Sequence, residues 1–458
     1  MKNIKPIILT LALATAGICA SAQSRSSYFL DNYVYGYRLN PAIMSERSFF
    51  SLPVVGNVQA DIQSGIGVST LLYPVPDGNG LVTGFNSSVS SEEFLSKIKD
   101  ANAIGLTADF NFISLGFRKE RSMTNIELNL RTTTDAALPG DLFRLLKEGS
   151  KASAYDLSNT KINVRSYLEL AFGKSHMNVE HTFTFGYRVK LLAGLAGADV
   201  LMNDTQATVN GEQLSVNVNA NGRIACPFIS FETKEDGTLG NANFDPTKLS
   251  PAGFGGAIDA GVVWTPNEHL SVSAAINDLG AINWTYNTLL ESKGSVEFNG
   301  LDLSAENSDA QAELDKVADD FKKLANFGIV DGTASQVEML PFTANLGARF
   351  RIPYAEFIGL GVHGSYRNGI TPEWDARAAL TLSPCGWFSI TGNYGYGTFG
   401  PVCGAALSLT ILGLNLFASV DGYCGPLGLY ESIPYPVNDF RYRANVGLVI
   451  QIGKRFTR

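Results

Sequence analysis

The side chains best suited to chemistry in this sequence are arginines that recur at alternate positions of extended-looking segments. They are Arg165, Arg188, Arg349, Arg351, Arg367, Arg377, Arg441 and Arg443, with Glu169, Asp259 and Asp375 as available acidic partners. Guanidinium groups match the geometry of carboxylates, so one interpretation is a path for anions or carboxylate headgroups. The alternative is a structural ion-pair network that fills an interior or grips the N-terminal segment. We favour the network, because buried charges are normally paired.

A histidine offers a second candidate for chemistry. By parity, His363 lies on the same face as Arg349 and Arg367. An outer-membrane hydrolase could use such a histidine, but Ser365 is a weak nucleophile candidate by spacing, and polar filling of an interior is the interpretation that we favour. The sequence has no GxSxG, HExxH or phosphate-binding glycine-rich motif, and its cysteines lack zinc-site spacing. It therefore predicts no enzyme, no cofactor and no metal site.

These side chains would be positioned by strands with a two-residue period. In the last such segment one face is apolar, with Tyr442, Ala444, Val446, Leu448, Ile450 and Ile452, whereas the other carries Arg441, Arg443 and Asn445. This alternation indicates a strand with one face in apolar surroundings. A soluble sandwich also alternates, but polar faces rich in Arg, Asn and Gly, with Tyr, Phe and Trp near segment ends, favour a membrane barrel.

Fourteen segments follow this pattern, and the connections between them alternate in length. The predicted strands are 54–72, 105–118, 123–134, 160–172, 180–197, 256–264, 269–280, 342–352, 356–367, 373–383, 387–396, 402–412, 415–424 and 440–453. Connections after even-numbered strands are short, and most of the others are long, as in outer-membrane barrels. The predicted fold is all-β: a transmembrane antiparallel up-and-down barrel of about 14 strands with both termini in the periplasm.

The composition and the N-terminus fit an exported protein. The 458 residues include 46 Gly, 27 Phe and 17 Tyr, with only 17% charged residues and a net charge of −8 that argues against nucleic-acid binding. Lys2 and Lys5, an apolar stretch from Pro6 to Gly17 and the small residues at 20–22 predict a signal peptide over 1–22. A lipoprotein signal at Cys19 is set aside, because the bulky Ile18 precedes it. The expected location is the outer membrane of a Gram-negative bacterium.

The remainder divides into an N-terminal segment and the barrel. Residues 23–53 show no spanning pattern, so we expect them in the periplasm or folded into the lumen as a plug, and 54–458 should form the barrel. Within the long loops, Ser91–Ala101, Gly140–Glu148 and Ala305–Phe327 are predicted helices.

One hairpin yields a prediction about cysteines. Gly413-Leu414 is suited to a two-residue type II′ turn, and in that register Cys403 lies directly opposite Cys424 on the outward face. Opposed positions are close enough for a disulfide, and export provides an oxidising compartment. The alternative is that both cysteines are small apolar residues facing lipid.

Two motifs carry a resemblance to known proteins. The stretch DNYVYGYRLNPAIMSERSFFSLP, with Asn40, Pro41 and Ala42, resembles the N-terminal segment of long-chain fatty-acid transporters and related fourteen-stranded barrels, where an Asn-Pro-Ala element belongs to the plug. The stretch from Ala275 to Gly280, followed by Trp284, resembles a strand-end motif of uncharacterised outer-membrane barrels. The resemblance implies a family of unknown function within that superfamily.

Two functions follow as hypotheses. The first is a plugged channel that passes small hydrophobic or amphipathic solutes, with Asn40-Pro41-Ala42 in the part of the plug that gates it. The second is a platform whose loops at 198–255 and 281–341 hold a secretion or surface partner. The expected partners are outer-membrane lipid and lipopolysaccharide, the barrel-assembly machinery and a hydrophobic solute, with no nucleic acid.

Overall fold

The structure is a computed structural model that describes residues 24–53, 55–74, 81–148, 154–210, 213–233, 239–299, 327–330, 335–430 and 433–456. The predicted signal peptide over 1–22 lies outside these ranges. So does the third predicted loop helix, apart from Phe327.

Fourteen antiparallel strands form a closed barrel. They are β1, in two pieces (Ser48–Ser51 and Val58–Ser64), β2 (Ala101–Arg118), β3 (Ser122–Pro139), β4 (Lys161–Met177), β5 (Phe183–Met202), β6 (Gly253–Trp264), β7 (Leu270–Trp284), β8 (Thr343–Ile352), β9 (Ala355–Arg367), β10 (Glu373–Cys385), β11 (Phe388–Gly397), β12 (Gly400–Ile411), β13 (Leu414–Tyr423) and β14 (Phe440–Ile452). Each strand pairs with its neighbours in sequence, and β14 closes the barrel by pairing with both pieces of β1. The prediction of an all-β, antiparallel barrel with fourteen strands is confirmed.

The two faces of the wall differ as a membrane barrel requires. On β5, Phe183, Phe185, Tyr187, Val189 and Leu191 are exposed on the outside, whereas the alternating Thr184, Arg188 and Lys190 are buried inside. Exposed aromatic side chains, among them Trp264, Tyr354 and Trp387, lie beside the short connections. An apolar outer band with aromatic residues at its edges is the architecture of outer-membrane barrels.

Short and long connections lie at opposite ends of the barrel, which we name the short-turn end and the long-loop end. Outside the wall strands, the described residues contain the helices α1 (Gly36–Leu39), α2 (Val68–Leu71), α3 (Ser91–Leu95) and α4 (Gly140–Glu148), and 3-10 helices at Arg25–Phe29 and Pro246–Lys248. None of these helices has the length and apolar character that crossing a membrane requires. Additional strands are Leu72–Pro74, Leu81–Thr83, Ala154–Asp156, Gln206–Asn210, Gln213–Ala225, Ile229–Thr233, Leu239–Phe244, Thr288–Asn299, Gly328–Ile329, Gln336–Met339, Leu427–Tyr430 and Ile433–Pro436.

The first strand differs from the prediction over 54–72. The wall already begins at Ser48, and it is interrupted before Val58. After Ser64 the chain leaves the wall, and Ile66 and Val68 turn into two separate buried clusters instead of facing lipid. Their alternation in the sequence therefore reflects packing within the loop.

The hairpin after β12 also differs from the prediction. Leu412 and Gly413 form the turn, with φ values of 50° and 85°, whereas Gly413-Leu414 was predicted. Two positive φ values at the central residues are typical of a type I′ turn, and the register moves by two residues, so that Leu409 faces Leu416. A shift of two preserves parity, which leaves the lipid and lumen faces unchanged.

The shifted register corrects the predicted cysteine geometry. Cys403 pairs with Gly422, and Cys424 follows the end of β13, so direct opposition of the two cysteines is wrong. Both are free thiols in the structure. A disulfide between them stays a prediction.

Candidate functional site: the barrel lumen

The N-terminal segment, defined here as residues 24–47, lies inside the barrel and is largely buried. It begins near the long-loop end of β13, where the backbone N–H of Arg25 donates to Asp421 (2.7 Å). The segment descends to the short-turn end, where the side-chain amide of Asn32 donates to the carbonyl of Gly386 (2.6 Å). From there it crosses the lumen through α1 before joining β1. Its contacts thus reach strands around the whole wall.

Three tyrosines of this segment form an aromatic layer across the lumen. Tyr33, Tyr35 and Tyr37 are 5%, 0% and 0% exposed. The ring of Tyr35 packs edge-on against Phe417 of the wall (centroids 5.4 Å apart) and against Phe49 of β1 (5.8 Å). Because aromatic side chains bury large apolar areas, this layer anchors the segment to both sides of the closing seam between β13, β14 and β1.

The carboxylate of Glu127 on β3 holds the segment through two neighbouring residues. The Tyr37 hydroxyl donates to Glu127 Oε1 (2.8 Å), and Arg38 Nε donates to the same oxygen (3.0 Å). Ser114 Oγ also donates to it (2.8 Å), and Arg188 Nη2 pairs with Glu127 Oε2. Arg38 reaches a second carboxylate, Asp109, at 3.4 Å. Glu127 therefore joins the segment and the wall in one charge-assisted network.

The residues of the Asn-Pro-Ala motif dock on the wall formed by β5, β6 and β7. The side-chain amide of Asn40 donates to the carbonyl oxygens of Val262 (3.0 Å) and Ala274 (3.2 Å). Its Oδ1 accepts from the backbone N–H of Ala42 (2.9 Å), which closes a tight turn. The amide side chain thus satisfies wall carbonyls that face the lumen.

Two glycines make room for this turn. A Cβ atom at Gly186 would overlap the carbonyl group of Pro41, and one at Gly261 would overlap the side chain of Asn40. Because glycine has no Cβ, the backbone of the wall can approach the segment closely at both positions.

The second motif, from Ala275 to Trp284, forms a bulge in β7 that also contacts the segment. Pairing with β6 shifts at this point, and Asp278 has a φ of 62°. As a result two consecutive side chains enter the lumen: Asn277 donates to the carbonyl of Leu39 (2.9 Å), and Asp278 pairs with Lys190 and Arg131. A bulge can redirect a side chain in this way.

The structure places the eight predicted arginines beside carboxylates, and Arg351 has the most exposed side chain among them, at 47%. The pairs are Arg165 with Asp135 and Glu338, Arg188 with Glu127 and Asp259, Arg349 and Arg351 with Asp31, Arg367 with Asp135 and Glu373, Arg377 with Asp375 and Asp421, and Arg441 and Arg443 with Asp61. Of the predicted acidic partners, Asp375 and Asp259 form close pairs, whereas Glu169 lies 3.9 Å from Arg188.

Sequence reasoning missed more than half of this network. The missed residues are Arg25, Arg38, Arg131, Lys190 and Arg223, and the carboxylates of Asp31, Asp61, Asp109, Glu127, Asp135, Asp199, Asp278, Glu338, Glu373 and Asp421. The alternation of lumen-facing and lipid-facing positions could have identified the missed residues that lie on strands, since Glu127 and Arg131 share a face of β3. It could not have found the partners contributed by the N-terminal segment.

Asp31 anchors the segment at the short-turn end. Its carboxylate pairs with Arg349 and Arg351, and it accepts a hydrogen bond from Ser383 Oγ (2.8 Å). Burial raises the pKa of the Asp31 carboxyl, but the two guanidinium groups outweigh burial and lower the pKa to about 2. The anchor is therefore charged at neutral pH.

His363 takes part in packing the segment. It is buried, and its ring lies 4.7 Å from the ring of Tyr28 and 6.3 Å from that of Phe29. Ser365 Oγ donates to Asp375 (3.5 Å), and both ring nitrogens of His363 lack a hydrogen-bond partner among the described residues. The arrangement lacks the nucleophile–base contact of a hydrolase.

A cavity of about 130 Å³ lies beside the segment, toward the long-loop end. Leu340 and Pro341, which precede β8, form part of its wall. Three carboxylates, Asp61, Asp109 and Asp278, line it, together with nine cations: Arg25, Arg38, Arg131, Arg165, Arg188, Lys190, Arg367, Arg441 and Arg443. The lining is thus strongly cationic. Among the described residues, no group of His, Cys, Asp and Glu side chains could hold a metal ion.

Solved structures similar to this chain include a toluene transporter, a monoaromatic hydrocarbon channel and a FadL homologue. The Ralstonia pickettii toluene transporter TbuX is 8% identical, with 96% of this chain and 97% of that chain covered and a TM-score of 0.44. A deltaS2 mutant of the TodX monoaromatic hydrocarbon channel is 9% identical (94% and 99% covered, TM-score 0.47). A Pseudomonas aeruginosa FadL homologue is 11% identical (95% and 97% covered, TM-score 0.43).

A comparison with curated proteins returned no match. The model of a family of unknown function, DUF5723, matches residues 41–421. This range runs from Pro41 of the Asn-Pro-Ala motif to Asp421 on β13, and it includes the bulge motif of β7. As the resemblance predicted, the chain belongs to this family of unknown function.

Proposed function

We propose that the protein is a channel of the Gram-negative outer membrane whose lumen is closed by the N-terminal segment, and that it passes small hydrophobic or amphipathic solutes. The observation that carries the proposal is the burial of residues 24–42 inside a closed wall, with bonds to strands on all sides. In this proposal the segment is the plug, and the short-turn end faces the periplasm. The polar lining of the lumen favours amphipathic solutes over purely apolar ones.

Export by a signal peptide, contacts with lipid and lipopolysaccharide, and insertion by the barrel-assembly machinery belong to the same proposal. They rest on the predicted signal sequence and on the apolar outer face of the wall.

The segment is held by reversible contacts that could release it. Side-chain hydrogen bonds and ion pairs hold residues 25–40. Beyond these, the chain passes directly into β1 at Ser48. Such a segment can leave its site without disturbing the hydrogen bonds between the wall strands. Movement of this kind would open a path from the cavity to the short-turn end.

A disulfide lock tests the proposal directly. Ser27 Oγ and Ser419 Oγ on β13 are 2.8 Å apart, so cysteines at both positions should join the segment to the wall. With the native cysteines of the mature chain replaced by serine, the oxidised variant in liposomes should block passage of a small amphipathic solute. Reduction of the bond should restore it.

A matched control places the same bond within the wall. Thr132 Oγ1 on β3 and Ser166 Oγ on β4 are 2.9 Å apart, and a disulfide there leaves the segment free. Passage should be equal in the oxidised and reduced forms of this control. Equal passage through the oxidised and reduced Ser27–Ser419 variant would contradict a gating role for the segment.

The second candidate function is a platform for a secretion or surface partner. The specific observation in its favour is a sheet at the long-loop end, where β5 pairs with Gln213–Ala225 and that strand pairs with Thr288–Asn299. Nearby, Phe244 and Leu249 expose more than two thirds of their surface. Co-purification of a stoichiometric partner that is lost when 227–250 are deleted would favour the platform.

A further inference from the structure

The lining of the lumen cavity differs from an ordinary ion-pair network in its balance of donors and acceptors. Nine cationic side chains face it against three carboxylates. Most of the other carboxylates that pair with these cations, such as Asp135, do not line the cavity themselves. A guanidinium has five N–H donors, so a carboxylate on one side leaves donors available on the other. The cavity surface therefore presents an excess of N–H donors, whereas carboxylates behind the lining balance the positive charge.

Buried donors without acceptors lie at the same place. Among the described residues, Arg25 Nε, Arg165 Nε, Arg188 Nε and Gln59 Nε2 have no hydrogen-bond acceptor, and all four side chains line the cavity. The side chains of Arg165 and Arg188 are 5% and 3% exposed. A buried donor without an acceptor is destabilising, and more so when the group is charged, so these atoms favour occupation by an acceptor.

We infer that this cavity binds an oxyanion, the carboxylate or phosphate group of a small solute. Guanidinium groups match both oxyanions with paired N–H donors. The inference rests on the proposed function, since the ligand would be the solute, or the headgroup of the solute, that the channel passes. The lining of the cavity identifies this class of ligand, whereas the apolar outer face of the barrel gives no indication of it.

The size of the cavity restricts the ligand further. A volume of about 130 Å³ accommodates a charged group with a short carbon skeleton, whereas pockets for larger ligands span roughly 300–1,000 Å³. A short dicarboxylate or inorganic phosphate fits as a whole. A longer amphipathic carboxylate would place its headgroup there, with its chain directed elsewhere.

Calorimetric titration of the full-length protein in detergent tests the inference without requiring transport. The probes are succinate, inorganic phosphate and octanoate, with succinamide as the uncharged control. At least one anion should bind, succinamide should not, and the binding should weaken with added sodium chloride. The order of the three affinities distinguishes a free small anion from an amphipathic headgroup. Failure of all three anions, or equal binding of succinamide and succinate, would overturn the inference.

Variants locate the binding site. Arg165→Gln should weaken anion binding roughly tenfold or more, because a charged donor is lost. Gln59→Leu removes an unpartnered neutral donor, so it should weaken binding several-fold while the barrel still folds. Arg144→Gln, which removes an exposed cation on α4, is the matched charge control and should leave binding unchanged. If Gln59→Leu binds as tightly as the unmodified protein, or Arg144→Gln weakens binding as much as Arg165→Gln, the assignment to this cavity is wrong.

The two proposals can fail separately. Loss of anion binding with the disulfide lock still controlling passage would refute the oxyanion site alone. The gate alone would be refuted if anion binding depends on Arg165 while passage of the solute is the same with the Ser27–Ser419 disulfide formed or reduced.

Discussion

Replacing Glu127 with alanine should release the N-terminal segment while the wall stays closed. In the seated segment, Tyr37 and Arg38 both donate to Glu127 Oε1. Without the carboxylate, Arg38 remains buried near Arg188, with which it shared that acidic partner. In the released segment Arg38 would be hydrated instead. The substitution therefore penalises the seated state more than the released one.

The size of the effect follows from the remaining contacts. Removing one partner of a buried ion pair costs about 3–5 kcal/mol. Arg38 keeps Asp109 at 3.4 Å, which places the expected loss at the lower end, about 3 kcal/mol. This corresponds to a roughly hundredfold larger released population.

Two milder substitutions at the same carboxylate give a graded series. Tyr37→Phe removes one hydrogen bond from the segment to a charged group, a loss of about 1.5–3 kcal/mol and a roughly tenfold or greater increase in release. Ser114→Ala also removes a donor to Glu127, but Ser114 belongs to the wall and makes the same bond in both states. It should change release little.

Cysteine labelling measures this population. Ser27 is 1% exposed, so a cysteine there, in a background with the native cysteines replaced by serine, reacts only when the segment leaves its site. The iodoacetamide rate should rise in the order Ser114→Ala, Tyr37→Phe, Glu127→Ala, while heat-modifiable migration of the barrel stays unchanged. A folded Glu127→Ala barrel with an unchanged rate would refute the reasoning, as would equal acceleration by Ser114→Ala and Tyr37→Phe.

Other predictions concern the wall, the orientation and the cysteines. Leu380 faces lipid, so Leu380→Arg should lower barrel stability in bilayers by roughly 2–4 kcal/mol more than Leu380→Ala. Equal losses of stability for the two variants in urea titrations would show that this side chain does not face lipid. An epitope inserted at Lys248 should be labelled on intact cells and one at Asn267 should not, and the reverse result would invert the orientation. Mass spectrometry of the unreduced protein should find a peptide linking Cys403 to Cys424; two alkylatable thiols there would show that the bridge does not form.

The strands and their faces could be predicted because the wall obeys a local rule. Each strand has one face against lipid and one against the lumen, so apolar and polar residues alternate, as on β5 from Phe183 to Leu191. The rule needs no knowledge of distant partners. It also survives the register error at Leu412-Gly413, because a shift of two residues keeps every side chain on its face.

Local rules fail where the backbone departs from regular pairing. Leu412 in the turn has a positive φ, which leucine seldom adopts. A prediction based on Gly413 alone therefore placed the turn one residue too late. The bulge on β7 puts Asn277 and Asp278 both into the lumen, whereas strict alternation allows only one of them. The bulge is stabilised by partners elsewhere in the chain, which the local pattern does not contain.

The segment's contacts were beyond sequence reasoning for a related reason. Glu127 is 89 positions from Arg38, and Asp421 is 396 positions from Arg25. No periodicity links such pairs. The Asn-Pro-Ala resemblance drew attention to the segment, but the glycines that receive the motif, Gly186 and Gly261, look in the sequence like any other lumen-facing glycine.

The two interpretations of the lumen arginines apply to different heights of the barrel. At the short-turn end, Arg349 and Arg351 are engaged by Asp31 of the segment, as in a structural network. At the cavity, Arg25 and Arg38 belong to the segment itself, while Arg165 belongs to the wall. An oxyanion bound there would contact both parts, and its binding would weaken when the segment carries two of the cations away. By linkage, such a ligand must favour the seated segment to the same extent that seating favours the ligand. Release of the gate and release of the anion would then be a single coupled step.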